Sequence, residues 1–258
     1  MTRDGFRKFR IFILLLVLFF VALQTWLTQM RSTDWQQPLW VVVYPINADG
    51  SDVTERYINA LDEQDFEDIE VFFIREAGRY GLEVHDPVTI KLAPLLVEQP
   101  PLPPRDGGML GVISWSLNLR YWAWSHNNYD GPKPDIQIYV KYYDPAKNKR
   151  VGHSLGLQKG MVGVVHAFAA KKMAGSNNVI IAHELLHTVG ASDKYDLSNN
   201  QPLYPIGYAD PDRKPLYPQR KAELMAGRIP VTPEKAITPN SLRSVVLGEA
   251  SAIEILWR

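Results

Sequence analysis

Apolar residues run almost without a break from Ile11 to Leu23 and continue less strictly through Trp26 and Leu27. A helix over this stretch is about 17 residues long, near the lower limit for crossing a bilayer core. Arg3, Arg7, Lys8 and Arg10 precede the run, while Arg31 follows it. By the positive-inside rule the N-terminus stays in the cytoplasm and the remainder is exported. Trp26 falls where an interfacial aromatic anchor is expected. Gln24 to Thr28 offers no small-x-small cleavage site. Residues 1–30 therefore read as a basic stub and a retained transmembrane signal anchor rather than a cleaved signal peptide.

Beyond a polar linker at 31–38 the rhythm changes. Leu39 to Tyr44 is wholly apolar, as in a strand inside a sheet. Asp52 to Leu61 and Phe66 to Tyr80 have helical spacing, the second with a stripe of Phe66, Ile69, Phe73 and Ile74. Val88 to Leu92 is a second strand candidate. Glu98 to Gly108, rich in proline and glycine, is a loop or hinge. Leu110 to Trp124 is apolar nearly all round and predicts a buried helix. From Asp135 to Tyr143, Ile136, Ile138, Val140 and Tyr142 alternate with Gln137, Tyr139, Lys141 and Tyr143, the clearest strand pattern in the chain. Met161 to Phe168 is a further strand candidate. Interleaved strands and helices without an internal repeat predict one α+β or mixed α/β domain over 39–258.

Composition removes several function classes. Lys plus Arg and Asp plus Glu balance at 28 each, so no global field points toward nucleic acid. With no cysteine in the chain, disulfides, thiolate metal sites and a cysteine nucleophile are excluded. The share of hydrophobic residues, 46%, is that of a folded protein.

The chemistry concentrates in His183-Glu184-Leu185-Leu186-His187-Thr188-Val189-Gly190-Ala191-Ser192-Asp193, which has the form H-E-x-x-H-x-x-G-x-x-D. Residues four apart on a helix lie one turn above each other, so His183 and His187 present two imidazoles to one point. Two nitrogen ligands of a tetrahedral zinc require that geometry. Glu184 lies beside His183, placed to act on a metal-activated water without being a ligand. Val179, Ala182, Leu185, Leu186 and Val189 cover the other faces, leaving His183, Glu184 and His187 as one polar stripe. Buried without partners, that stripe would cost several kcal/mol, so it must face a cleft or a metal. Ser176 is the expected N-cap. Gly190 suits the left-handed turn that ends the helix and returns Asp193 as third ligand. Glu223 is the alternative third ligand.

H-E-x-x-H-x-x-G-x-x-H/D followed by a methionine-containing turn resembles the metzincin signature. The aspartate form with a tyrosine two residues on, Asp193-Lys194-Tyr195, is similar to snapalysin and the immune-inhibitor-A-type peptidases. Glu223-Leu224-Met225-Ala226-Gly227 resembles the Met-turn. The resemblance covers roughly residues 175 to 228. It implies a zincin-like domain with a twisted mixed sheet, an active-site helix and a C-terminal helix. It implies His183, His187 and Asp193 as Zn2+ ligands, Glu184 as general base and Met225 as an apolar floor. It also places the edge strand that pairs with an extended substrate at Met161 to Phe168. Many metzincins carry a tyrosine just after the Met-turn methionine, whereas Ala226, Gly227 and Arg228 stand here. Tyr195 is therefore the candidate oxyanion stabiliser, with Arg228 second.

The expectation is a membrane-anchored zinc endopeptidase acting on a peptide or protein substrate on the exported side. One alternative is a metal-binding envelope protein that is inactive or of narrow specificity. Another is a non-haem iron(II) enzyme, since two histidines and a carboxylate also form that facial triad. The tyrosine- and proline-rich loop from Ser192 to Arg220 is expected to wall the cleft. His85, His126, His153 and His166 read as structural or exposed.

Overall fold

The computed structural model describes residues 7–258 except 17, 20–22, 24–33, 105–107 and 159–160. Residues 7–16 are helical and exposed. Among the described residues no helix is long and apolar enough to cross a membrane. Much of the anchor expected over residues 11–27 lies outside the described residues.

Five strands form the central sheet: β1 (Leu39–Asn47), β2 (Val88–Leu92), β3 (Ile136–Tyr143), β4 (Leu155–Leu157) and β5 (Val162–Phe168), in the order β2-β1-β3-β5-β4. All neighbours are parallel except β4, which runs antiparallel to β5. β1 is apolar from Leu39 to Ile46 because both of its faces are covered. Leu39, Val41 and Val43 join one core cluster, whereas Val42, Tyr44 and Ile46 join a second.

The first and larger core takes α1 (Asp52–Asn59), α2 (Glu67–Tyr80) and the second half of the chain. Ser51 caps α1 through a side-chain bond to the Thr54 amide, and Gly81 ends α2 in the left-handed conformation. α2 is tied to the C-terminal segment by buried Glu76. Its carboxylate meets Arg75 at 2.9 Å and Arg79 at 2.6 Å and accepts the Leu247 amide. Trp35 closes the same core, donating its indole N–H to the Ile255 carbonyl and meeting Trp257 edge-on.

The second face of the sheet is covered mainly by α3 (Met109–Ser125). Here the expectation of a buried helix is corrected. Leu119 and Ala123 are its buried residues, with Trp115 and Trp122 half-buried against the sheet. Leu110, Leu117, Tyr121 and Trp124 on the outer side are all more than half exposed. An all-round apolar sequence permits burial on every side, but only one side of α3 meets the sheet.

Two further expectations change. β5 is not the edge of the sheet, because β4 covers it. The long helix that follows, α4 (Ala174–Thr188), starts two residues before Ser176, out of a 3-10 turn at Lys171–Met173, with no side-chain cap. Ser176 instead reaches the Pro239 carbonyl at 3.4 Å. The chain closes with short strands β6 (Ala222–Glu223), β7 (Ile229–Thr232), β8 (Lys235–Ile237) and β9 (Val245–Val246), then α5 (Glu249–Glu254).

β4 crosses α4 so closely that a Cβ on Gly156 would lie 2.5 Å from the Glu184 carbonyl oxygen and 2.6 Å from His187 Cβ. Neither atom can yield without moving the helix. Gly156→Val is accordingly expected to lower stability by about 1–3 kcal/mol, read by denaturant unfolding; unchanged stability would show that β4 does not press on α4.

His166 on β5 hydrogen-bonds Tyr143 Oη through Nδ1 at 2.9 Å and stacks on its ring. Burial, helped by Lys141 and His153, holds its pKa at about 4, below the ordinary 6.5. As pH falls through that window, the unfolded chain takes up a proton that the folded chain refuses. The stability contribution is complete above 6.5 and is lost toward 4. Between these two pH values His166→Gln should lose less stability than the parent in denaturant titrations; equal losses would contradict this assignment.

Candidate metal centre

α4 is fastened before it reaches the site. The Asn177 side chain bonds both the N–H and the carbonyl of Phe168, at 3.2 and 2.9 Å, and Asn178 donates to the Asp65 carbonyl at 2.8 Å. Val179, Ile181, Ala182, Leu185 and Leu186 are buried around the helix. What remains is the stripe of His183, Glu184 and His187, open toward a partly exposed Asp193.

The two imidazoles meet edge to face with centroids 4.7 Å apart. His183 Nδ1 lies 2.9 Å from the Leu224 carbonyl oxygen, and His187 Nδ1 lies 2.8 Å from that of Ala191. A carbonyl oxygen can only accept, so each Nδ1 carries the proton and each Nε2 turns a lone pair inward. The two Nε2 atoms are 3.0 Å apart, and Asp193 Oδ1 lies 3.2 and 3.1 Å from them. Three acceptors facing one another at this range repel unless a positive charge sits among them. With bonds of about 2.0–2.1 Å, a tetrahedral zinc sets its ligand atoms about 3.3 Å apart, close to the observed spacing. The donor set therefore fits a divalent metal. His183, His187 and Asp193 form the one candidate metal group among the described residues.

Protonation follows the same logic. Burial opposes charge on His183, but Asp193, Glu184 and the Leu224 carbonyl together hold its pKa above the ordinary value. Asp193 is opposed by burial too, yet the two histidines bring it far below the usual carboxylate range. Glu184 is 5% exposed, and its Oε2 is buried without a hydrogen-bond partner. Burial pushes its pKa up, against the opposing pull of the two histidines.

The segment after α4 explains how Asp193 returns. Val189 caps the helix and Gly190 takes φ 111°, as the glycine spacing suggested. Lys194 is buried: its amide donates to the Met225 carbonyl, and its ammonium meets Glu254 at 2.7 Å. Ser192 donates to the same carboxylate through its amide and hydroxyl. Asp193 thus sits between two fixed residues. Lys194 and Glu254 carry no motif signal, and their pairing across 60 residues is visible only in the fold.

Met225 is fully buried in a 3-10 turn, Leu224–Ala226. This turn supplies the Leu224 carbonyl to His183 and the Met225 carbonyl to Lys194. The alternative ligand Glu223 does not join the cluster. Its carboxylate is buried and accepts from the Ala226 and Gly248 amides and the Ser251 hydroxyl. It closes the turn onto the C-terminal segment.

Tyr195 lies beside the site, its ring centroid 6.4 Å from that of His183. Burial, then Asp193 and Glu184, raise its pKa, while half-buried Arg228 is close enough to pull it back. The 192–220 loop is internally bonded: Tyr208 and Tyr217 share a 2.7 Å hydroxyl contact, and Gln219 bonds the Asp210 backbone. Asp196 is spent on a turn with Ser198 and Asn199. The remaining histidines stand apart from the cluster, with His85 exposed beside Asp86 and His126 close to the Trp122 carbonyl at the end of α3.

No family model matches the chain, and no curated protein matches it either.

Proposed function

We propose that this chain is a zinc-dependent endopeptidase of the metzincin type, held on the exported side of a membrane by its N-terminal segment. The observation that carries the reading is the convergence of His183 Nε2, His187 Nε2 and Asp193 Oδ1 beside the unpaired, buried oxygen of Glu184. Support for the anchor lies in the sequence of residues 3–27, basic and then apolar.

Zinc bound by these residues would supply Lewis acidity to a peptide carbonyl and lower the pKa of water. The protein's own groups do the rest. Glu184, buried and raised in pKa, takes the proton from the attacking water and delivers it to the departing amine. Tyr195 is the candidate to stabilise the developing oxyanion, with Arg228 second. β4 leaves one edge of the sheet unpaired alongside α4, so an extended peptide adding there as a strand would run past the polar stripe.

The same ligand set serves iron(II) oxygenases, and a zincin fold can bind metal without turnover. The unpaired Glu184 carboxylate favours hydrolysis over both, because neither has use for a buried base at that position.

Zinc analysis and peptide-library cleavage by the parent and Glu184→Gln test the central claim. Both proteins should hold stoichiometric zinc, with the variant losing about 10²–10⁴-fold in kcat/KM. No bound metal in either would overturn the reading. Asp193→Ala should release zinc to a chelator at least about tenfold more readily than the parent, and unchanged affinity would remove Asp193 from the ligand set. The base must be ionised, so activity should fall with an acid limb above 4.5, the ordinary value for glutamate. A limb below that value in the pH profile of kcat/KM would count against Glu184 as the base.

A further inference from the structure

Outside residues 9–19, the exposed large apolar side chains of the described residues concentrate on the outer face of α3. Leu110, Ile113, Leu117, Tyr121 and Trp124 follow one another at helical spacing, forming an exposed apolar stripe on the side away from Leu119 and Ala123. It extends about 21 Å along the helix. α3 contains no acidic residue, and its one charged side chain is Arg120 on the flank of the stripe. Arg120 is half-buried, its Nε is buried without a partner, and Nη2 reaches only as far as Ser116 Oγ at 3.4 Å. A guanidinium in that state, beside apolar and aromatic side chains, suits a phosphodiester at the level where lipid tails begin.

The path of the chain points to lipid as the occupant. The polypeptide enters the sheet at Leu39, and Trp40 packs into the same cluster as Trp115 and Trp122 of α3. The residues before that entry are a short linker and the basic-then-apolar run at 3–27. Fully extended, the eleven residues 28–38 reach at most about 40 Å, so a bilayer holding the run lies within reach of α3. Tyr121 and Trp124, at the C-terminal end of the helix, have the amphipathic rings that settle at a membrane interface. A second copy fits less well, since a two-fold contact across the stripe would bring Arg120 toward its counterpart with no carboxylate on either helix.

Resting on the reading of residues 3–27 as a membrane anchor, we propose that the outer face of α3 is a second membrane contact, lying in the headgroup region of an anionic bilayer with Arg120 on lipid phosphate. α3 and α4 pack on opposite faces of the sheet. The metal cluster then lies on the other side of the sheet from the lipid.

Because the chain has no cysteine, a single introduced thiol gives an unambiguous label. Full-length Leu117→Cys, and Val71→Cys on exposed α2 across the domain, are each labelled with an environment-sensitive fluorophore. They are reconstituted into phosphatidylcholine–phosphatidylglycerol vesicles carrying nitroxide lipids. The label at position 117 should be quenched at least about threefold more than that at 71. That excess should shrink in vesicles of phosphatidylcholine alone and on adding Arg120→Gln. Equal, water-like signals at both positions in protein that floats with the vesicles would overturn the proposal, whereas protein that does not float with them would overturn the anchor on which it rests. So would a shielded label at 117 that nitroxide lipids do not reach and that depends on protein concentration, which would assign the stripe to a second copy. Excess quenching that survives Arg120→Gln would overturn the role given to that side chain.

Discussion

Three hydrogen-bond acceptors held within 3.2 Å of one another are an electrostatic liability, and much of the second half of the chain is arranged to keep them there. Neither imidazole can rotate away without giving up a carbonyl partner. Asp193 cannot withdraw, because Ser192 and Lys194 on either side are bonded to Glu254 and Met225. Lacking a metal, the cluster relieves the conflict by binding protons, which is why His183 is raised in pKa while Asp193 is depressed. A divalent ion would do the same at higher charge, and its binding would then be coupled to the order of this region.

The supports come from elements far apart in the chain. β4 meets α4 at Glu184 and His187 through Gly156, the 3-10 turn at Leu224–Ala226 gives its Leu224 carbonyl to His183, and α5 secures the Asp193 loop through Glu254. Glu223 joins the turn to the last two elements, using three donors to offset the burial that raises its pKa. On a glutamate-zincin plan the same carboxylate would be a ligand. Its bonds make it a brace.

What the sequence revealed follows from which forces are local. The pairing of His183 with His187 is dictated by helical periodicity, and the return of Asp193 by the turn at Gly190, so both are readable from spacing alone. β1, β2, β3 and β5 were readable because strands inside a sheet carry unbroken or alternating apolar runs. β4, three residues containing a glycine, has no such signature, and the edge position expected of Met161 to Phe168 rests on the family resemblance alone. The start of α4 was displaced because its first turn grows from a 3-10 segment and is held by Asn177 and Asn178 through tertiary bonds. The burial of α3 was misjudged because hydrophobicity reports what a side chain prefers, not whether the fold has an element left to cover it.

Both histidine orienters are main-chain oxygens, of Leu224 and Ala191. No side chain at either position records the contact, so substitutions there are free to drift within the limits of packing while the imidazoles keep their orientation. Length is the quantity under constraint. One residue added or removed between His187 and Ala191 would withdraw the carbonyl, while a comparison of side-chain identities would register nothing amiss. For this site the spacing of the chain is constrained more tightly than its composition.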